Sequence, residues 1–285
     1  MKIGVIGLGL MGGSFARALV KKEMATVYAY DINNIALSKG EVMNAYNEVL
    51  TCENASLLDV LIISVYPDAF EEVTEKFLPY LKDGTIICDF CGIKRKIVNK
   101  MQEYSKKYPN LVFIGGHPMA GREFSGIERS MVNLFDKASM ILVPVNADIF
   151  ILQKFKQLFL DLGFGEVVIT DSENHDKMIA YTSQLCHVVS NAFIKNQTAK
   201  EHFGYSAGSY KDLTRVARLN AKMWTSLMMS NCDKLETELD ELILNLQKYQ
   251  VALKNKDSSS LEKLLQEGND LKIAIDSKGG KNSGN

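Results

Sequence analysis

The 285-residue chain is short of several things, and each shortage closes a class of function. It lacks a charge of one dominant sign: 33 Lys plus Arg stand against 34 Asp plus Glu, a formal net charge of -1, so nothing points to nucleic acid. It lacks any apolar run of the roughly 18 residues that a membrane helix needs. Met1-Lys2-Ile3-Gly4-Val5-Ile6 goes straight into a strand-like run with no secretory signal. Cysteine is scarce, five residues at irregular spacing, which fits a reducing compartment and makes the cytoplasm the expected address. Cys88 and Cys91 form a lone C-x-x-C, which without a second pair or a histidine cluster makes neither a zinc nor a redox site. Histidine is limited to four residues. One of them, His117, follows the apolar run Leu111-Val112-Phe113-Ile114 and two glycines, at the head of His117-Pro118-Met119-Ala120-Gly121-Arg122-Glu123-Phe124-Ser125-Gly126.

With 46% hydrophobic residues the chain can bury a sizeable core, and its length suits two domains. Up to about Thr170, short β-branched runs alternate with helical patterns: Ile3–Ile6, Val27–Tyr30, Val60–Ile63, Thr85–Cys88, Val112–Ile114, Met140–Val143 and Val167–Ile169. Continuous apolar strands separated by helices predict an α/β, Rossmann-type doubly wound domain over 1–170, its sheet mostly parallel. After Asp171 only helical patterns follow, giving an all-helical domain over 171–285. Met178, Thr182, Leu185, Val189 and Phe193 mark an apolar stripe on a helix from Glu173 to Gln197, with Asp176, Ser183, His187 and Asn191 on another, polar face. His175 with Asp176 reads as a cap or support for the start of that helix. A second helix, from about Met223 to Leu253, carries a heptad-like seam at Leu235, Leu239, Leu242, Leu246, Tyr249 and Leu253, which suits a homodimer through the C-terminal helices as well as packing within one chain. Ser259-Ser260-Leu261-Glu262 resembles a capping box that opens a last helix, Gly268 is placed to close it, and the tail from Lys278 to Asn285 reads as disordered.

Gly7-Leu8-Gly9-Leu10-Met11-Gly12 fits G-x-G-x-x-G in the required setting, after a strand and before a helix. Gly7 permits the tight turn, Gly9 lets backbone approach a pyrophosphate, and Gly12 allows close helix–strand packing. Leu10 and Met11 supply backbone of the first helical turn to that diphosphate. Asp31, ending the second strand, is placed to accept hydrogen bonds from an adenosine ribose; a 2′-phosphate would face its carboxylate, and Ile32-Asn33-Asn34 offers no arginine, so NAD is expected rather than NADP. The turns after the later strands, with Val65 and Tyr66, then Asp89 to Lys94, then Gly115 to Pro118, are expected around the nicotinamide.

The glycine turn, "HPMAGREFSG", "HDKMIAYTSQLCH" from His175 to His187, and "GSYKDLTRVA" from Gly208 to Ala217 together resemble the prephenate/arogenate dehydrogenases of tyrosine biosynthesis, in the same order from Met1 to about Leu253. The resemblance implies NAD(P)-dependent oxidative decarboxylation of a cyclohexadienyl substrate to a phenol. It makes His117 the acceptor for the substrate hydroxyl, a task suited to an imidazole. It makes Arg215 the anchor of a substrate carboxylate, His187 its neighbour, and Asp212 a residue able to orient that arginine; Arg122, Glu123, Lys211 and Arg218 rank behind them. Two departures stand out. Many members carry serine where this chain has Gly92, and often histidine where it has Gln184. The chain offers too few residues for the regulatory or mutase domain that many members add. Prephenate is the expected substrate, with arogenate the alternative. A 3-hydroxyacid dehydrogenase would need Lys177 as its catalytic lysine and leave "HPMAG" without purpose. A non-catalytic NAD-binding sensor would have no need of both His117 and Arg215.

Overall fold

The computed structural model describes residues 1–122 and 124–279, the side chains of 278 and 279 excepted. Eight strands form one sheet in the order β3-β2-β1-β4-β5-β6-β7-β8. They are β1 (Lys2–Ile6), β2 (Thr26–Tyr30), β3 (Glu48–Val49), β4 (Val60–Ile63), β5 (Ile86–Asp89), β6 (Val112–Pro118), β7 (Ser139–Pro144) and β8 (Glu166–Ile169). All pairings are parallel except β6 with β7, which places His117 opposite Ile141. Parallel neighbours need a crossover helix, whereas β6 and β7 are joined by a segment whose only helical piece, among the described residues, is the single turn Ile127–Arg129. The short β3 is the one strand without a sequence signal, since two exposed residues form no pattern.

Strand side chains alternate between two cores, as the period of two requires. Ile3, Val5, Ile62 and Ile114 face helices α1 (Leu10–Lys21) and α5 (Ile149–Leu162), where Phe15, Phe90, Phe135, Phe159 and Phe164 pack ring against ring. Ile6, Leu61, Ile63, Ile87 and Phe113 face the other way, onto Phe70 and Phe77 of α3 (Phe70–Phe77) and Met101 and Tyr104 of α4 (Arg95–Lys107). Each fully buried phenylalanine contributes about 1.5–3 kcal/mol of transfer free energy. The remaining helix of this region, α2 (Asn34–Val42), starts from the Asn33 side chain, which accepts from Ile35 N.

After β8 come α6 (Ser172–Ile179), a π-helical segment Ala180–Leu185 and α7 (Cys186–Phe193), in unbroken succession. The cap of α6 is Asp171, which accepts from Asn174 N; His175 and Asp176 do not cap it but are buried. The expected apolar stripe is kept only in part. Leu185 is buried and Val189 half-buried, whereas Met178, Thr182 and Phe193 are exposed and His175, Asp176, Ile179 and Gln184 are turned inward; from Ala180 the π segment breaks the 3.6-residue period on which the stripe was drawn. Next are α8 (Gly208–Thr214), the short turn Arg215–Ala217 and α9 (Ala221–Met229), started by Asn220. The single helix expected from Met223 to Leu253 is two, since the chain breaks at Ser230 and Asn231 before α10 (Cys232–Lys254), and Asn231 spends its side chain on buried hydrogen bonds.

By contacts the chain divides into one compact unit from Met1 to Cys232 and another from Asp233 onward. The first thus takes in α6 to α9 with the sheet. The second comprises α10 and α11 (Ser258–Gly279). Asp257, accepting from Ser260 N and Ser260 Oγ, caps α11 in place of the expected serine box. The helix runs through Gly268, an ordinary helical position, to Gly279. Residues 280–285 of the tail expected to be disordered lie outside the described residues. Leu246 and Leu253 of α10 and Leu265, Leu271, Ile273 and Ile275 of α11 are exposed in the single chain. No described helix is long and apolar enough to cross a membrane.

Candidate active site

The glycine turn joins β1 to α1. Gly7 has φ +90°, and a Cβ there would fall 2.4 Å from Ser64 O, so only glycine fits. A Cβ on Gly12 would fall 2.0 Å from Gly7 O, which fixes how closely α1 lies on the turn. At Gly9 a Cβ would meet nothing within 4 Å: bare backbone opens on free space at the start of α1. First-turn N–H groups without intrahelical acceptors and the positive end of the helix dipole suit a diphosphate in that space. Leu10 is buried and Met11 packs on the core, so these two offer backbone. Asp31 is held by two backbone donors, Leu8 N to Oδ2 (2.7 Å) and Asn33 N to Oδ1 (2.8 Å), which fixes its carboxylate at the end of β2. Val65 follows β4 and lies against Gly7, while Tyr66 is exposed. The donor set fits a dinucleotide with an unphosphorylated ribose.

From Val65 the site continues sideways across the sheet. Cys91 Sγ donates to Val65 O (3.5 Å), and Cys91 N donates to Asp89 Oδ2 (2.8 Å). Asp89 Oδ1 accepts from Gly116 N (3.1 Å), tying the ends of β5 and β6 together just before His117. The fully buried Lys94 ammonium pairs with Asp89 Oδ2. All five cysteines are free, Cys88 and Cys91 are buried, and no cluster of three or more metal-ligating residues occurs among the described residues.

His117 is partly exposed and stands at the head of a line of three. Its Nδ1 lies 2.9 Å from His175 Nε2, and His175 Nδ1 lies 2.7 Å from Asp176 Oδ1. Asp176 further accepts from Lys94 N (2.7 Å) and Arg95 N (2.9 Å). Burial alone would raise its pKa, yet the hydrogen bonds from His175, Arg95 and Lys94 together hold it below the usual range. An ionised carboxylate only accepts, so His175 carries its proton on Nδ1 and presents a lone pair on Nε2. His117 must then donate from Nδ1, which leaves its Nε2 as an acceptor. Burial, then the neighbouring His175 and Lys94, push His117 well below an ordinary imidazole, against the pull of Asp176; burial likewise lowers His175. His117 is therefore neutral at pH 7, with Nε2 directed toward Gly92, where a Cβ would lie 3.9 Å away.

A second cluster adjoins the first through α9. Trp224 stacks on His187, centroids 3.8 Å apart, while Leu227, one turn on, lies beside Gly92: its Cδ2 would be 3.6 Å from a Cβ there. His187 Nδ1 donates to Ser183 O (2.9 Å). Its pKa is lowered chiefly by burial, opposed by the Ser183 carbonyl and helped by the charge of Arg215, so His187 offers an acceptor and Arg215 the positive charge. Asn191 Nδ2 donates to Ala217 O (3.3 Å), seating the Arg215 turn on α7. Arg215 and Asp212 are exposed, as are Lys211 and Arg218. Arg122 is exposed on the loop after β6, its guanidinium against Met131 Sδ (3.1 Å), and Glu123 lies outside the described residues. His175 and Asp176 are the members that reading the sequence misassigned. The clue to them was two adjacent polar residues on an otherwise helical segment, but their partner stands in β6.

Residues 15–169 match the nucleotide-binding domain of prephenate dehydrogenase and residues 171–267 match its dimerization domain. The chain belongs to the prephenate dehydrogenase family. As a member of it, the protein is an NAD-dependent dehydrogenase. It is 28% identical to the prephenate dehydrogenase of Lactococcus lactis, over 96% of this chain and 77% of that one. It is also 28% identical to the cyclohexadienyl dehydrogenase of Zymomonas mobilis, over 96% and 95%. The solved prephenate dehydrogenase of A. aeolicus in complex with hydroxyphenyl propionate and NAD+ superposes with a TM-score of 0.83 at 26% identity, covering 96% of this chain and 98% of that one. The Synechocystis arogenate dehydrogenase gives a TM-score of 0.80 at 25% identity, with 96% and 100% covered.

Proposed function

We propose that this prephenate dehydrogenase family member oxidises and decarboxylates prephenate to 4-hydroxyphenylpyruvate, with His117 as the group that takes the hydroxyl proton. The observation that carries this is the line Asp176–His175–His117, which leaves a neutral imidazole with its free nitrogen facing the opening at Gly92. NAD, when bound, supplies the hydride acceptor, held by Gly7 to Gly12, Asp31 and the Val65–Tyr66 turn. His117 Nε2 accepts the proton as the carbinol carbon becomes a carbonyl carbon, and His175, backed by Asp176, keeps Nδ1–H engaged so that only Nε2 is available. Loss of the ring carboxylate as CO2 is driven by aromatisation and sends its electron pair to the carbonyl oxygen, which takes back the proton held on His117 Nε2 to give the phenol, so no further acid is required of the chain. Arg215 holds a substrate carboxylate and His187 hydrogen-bonds beside it. Residues 1–170 form the cofactor domain and 171–285 the helical part that completes the substrate site and dimerises. The matches at 15–169 and 171–267 and the bare apolar residues of α10 and α11 support this division. Five free thiols support the cytoplasm as its compartment.

The test is NADH formation by the purified protein with prephenate and with arogenate, each with NAD and with NADP. Turnover of prephenate with NAD, and far weaker use of NADP, is expected; exclusive use of arogenate would move the substrate, and no turnover of either would remove the reading. Arg215→Ala is expected to raise KM for the cyclohexadienol about tenfold or more, the loss of one charge-assisted pair, with a smaller change in kcat. An unchanged KM would release Arg215 from its role.

A further inference from the structure

Gln184 is fully buried on the π segment, where it cannot serve the substrate directly. Its two ends are both used. Oε1 accepts from Asn231 Nδ2 (2.9 Å), and Nε2 donates to Leu227 O (3.2 Å). The same Asn231 amide donates to Asp176 O (2.8 Å), and Asn231 Oδ1 accepts from Arg95 Nη2 (2.9 Å), whose Nε reaches Asp176 Oδ2 (3.3 Å). One polar network thus runs from the carboxylate behind His175 to the main chain of α9. On its outer side α9 is tied down again, by Ser226 Oγ donating to Asp68 Oδ2 (2.9 Å). Between these two ties stands Leu227, a partly exposed aliphatic side chain beside Gly92, which has no side chain to set against His117.

We propose that Leu227 is a specificity-determining wall of the substrate site and that Gln184 is the positioning residue that sets it, fixing the Leu227 carbonyl so that the side chain closes the space over His117 Nε2. With no hydroxyl at position 92, the neighbour of the acceptor nitrogen is an aliphatic side chain, which would pack on a substrate ring and keep water from competing for Nε2. This rests on the proposed cyclohexadienol reaction.

The experiment compares full-length wild type, Gln184→Met, Leu227→Ala and the double variant. It measures steady-state kinetics with prephenate, the pH profile of kcat, melting temperature, and calorimetric binding of 4-hydroxyphenylpropionate in the presence of NAD. Leu227→Ala is expected to weaken both KM and phenol binding about tenfold, the scale of an emptied apolar wall. Gln184→Met is expected to give a similar loss with the acid limb of the pH profile unmoved, and the double variant to be no worse than Leu227→Ala alone. Additive losses, or a fall in melting temperature with KM and binding unchanged, would overturn the role of Gln184. Unaltered binding in Leu227→Ala, whose side chain is not buried and whose loss the fold can absorb, would overturn the wall. If wild type binds the phenol but turns over no cyclohexadienol, the functional reading fails while the binding series still decides this one; if it binds neither, both fall.

Discussion

Replacement of His117 by asparagine is expected to lower kcat by about 10²–10⁴, the usual contribution of a positioned general base, while NAD binding stays unchanged. Asparagine can still hydrogen-bond a hydroxyl but cannot take its proton, so the loss should appear in kcat and kcat/KM together. The residual pH dependence is as informative as the size. In wild type the neutral imidazole is the active form, so activity falls as pH drops through the His117 pKa. That pKa is pushed well below 6.5, principally by burial, so the acid limb should lie on the acid side of an ordinary histidine and vanish in His117→Asn. Asp176→Asn should also lower kcat, because an amide no longer dictates which nitrogen of His175 carries the proton. Its missing negative charge should move the limb to still lower pH, since Asp176 is the group that raises His117. Kinetics at saturating substrate across roughly pH 4–8, a window that brackets the usual imidazole range, check both. A His117→Asn enzyme with unimpaired kcat would remove the mechanism.

The second large effect concerns stability. Lys94 and Asp89 are both fully buried, and their ion pair joins the start of α4 to the ends of β5 and β6. Lys94→Met is expected to cost about 3–5 kcal/mol, because Asp89 would keep its charge in the core with only the Cys91 and Gly116 N–H groups for support. Asp89→Asn added to Lys94→Met should recover part of that loss, since the stranded charge is then gone. Denaturant unfolding of the three variants decides it: a loss under about 1 kcal/mol would mean that the pair is reached by water and acts as a surface bridge. Below an imidazole's ordinary pKa the whole site should weaken too. His117 and His175 are both depressed, so the unfolded chain binds more protons as pH falls, and stability declines with falling pH.

Local chemistry was legible in the sequence, and remote partnership was not. The glycine turn announces itself because Gly7, Gly9 and Gly12 each answer a constraint set within a few residues, and Asp31 is the acidic end of the next strand. His117 could be located at a strand end for the same reason. Its partners could not: His175 is 58 positions away, and the contact exists only because α6 lies against the sheet. Asp89 and Lys94 are five positions apart, but nothing in a list of residues says that both side chains are sealed from water. The break at Asn231 was hidden because its cause, a side chain bonded to Asp176, Gln184 and Arg95, is tertiary.

The π segment between α6 and α7 also sets a phase. His175 and His187 are twelve positions apart, which in an unbroken α-helix of about 100° per residue would point them some 120° away from each other. A π turn accommodates one residue more than an α turn, so the effective separation is about eleven steps and the two directions differ by only some 20°. The helix thereby brings His175, the partner of His117, and His187, the neighbour of Trp224, toward one flank with no loop between them. Regular α winding through Ala180–Leu185 with no residue removed would instead turn everything beyond it by about 100° relative to His175. The spacing of "HDKMIAYTSQLCH" is thus a rotational setting, in which length matters as much as composition.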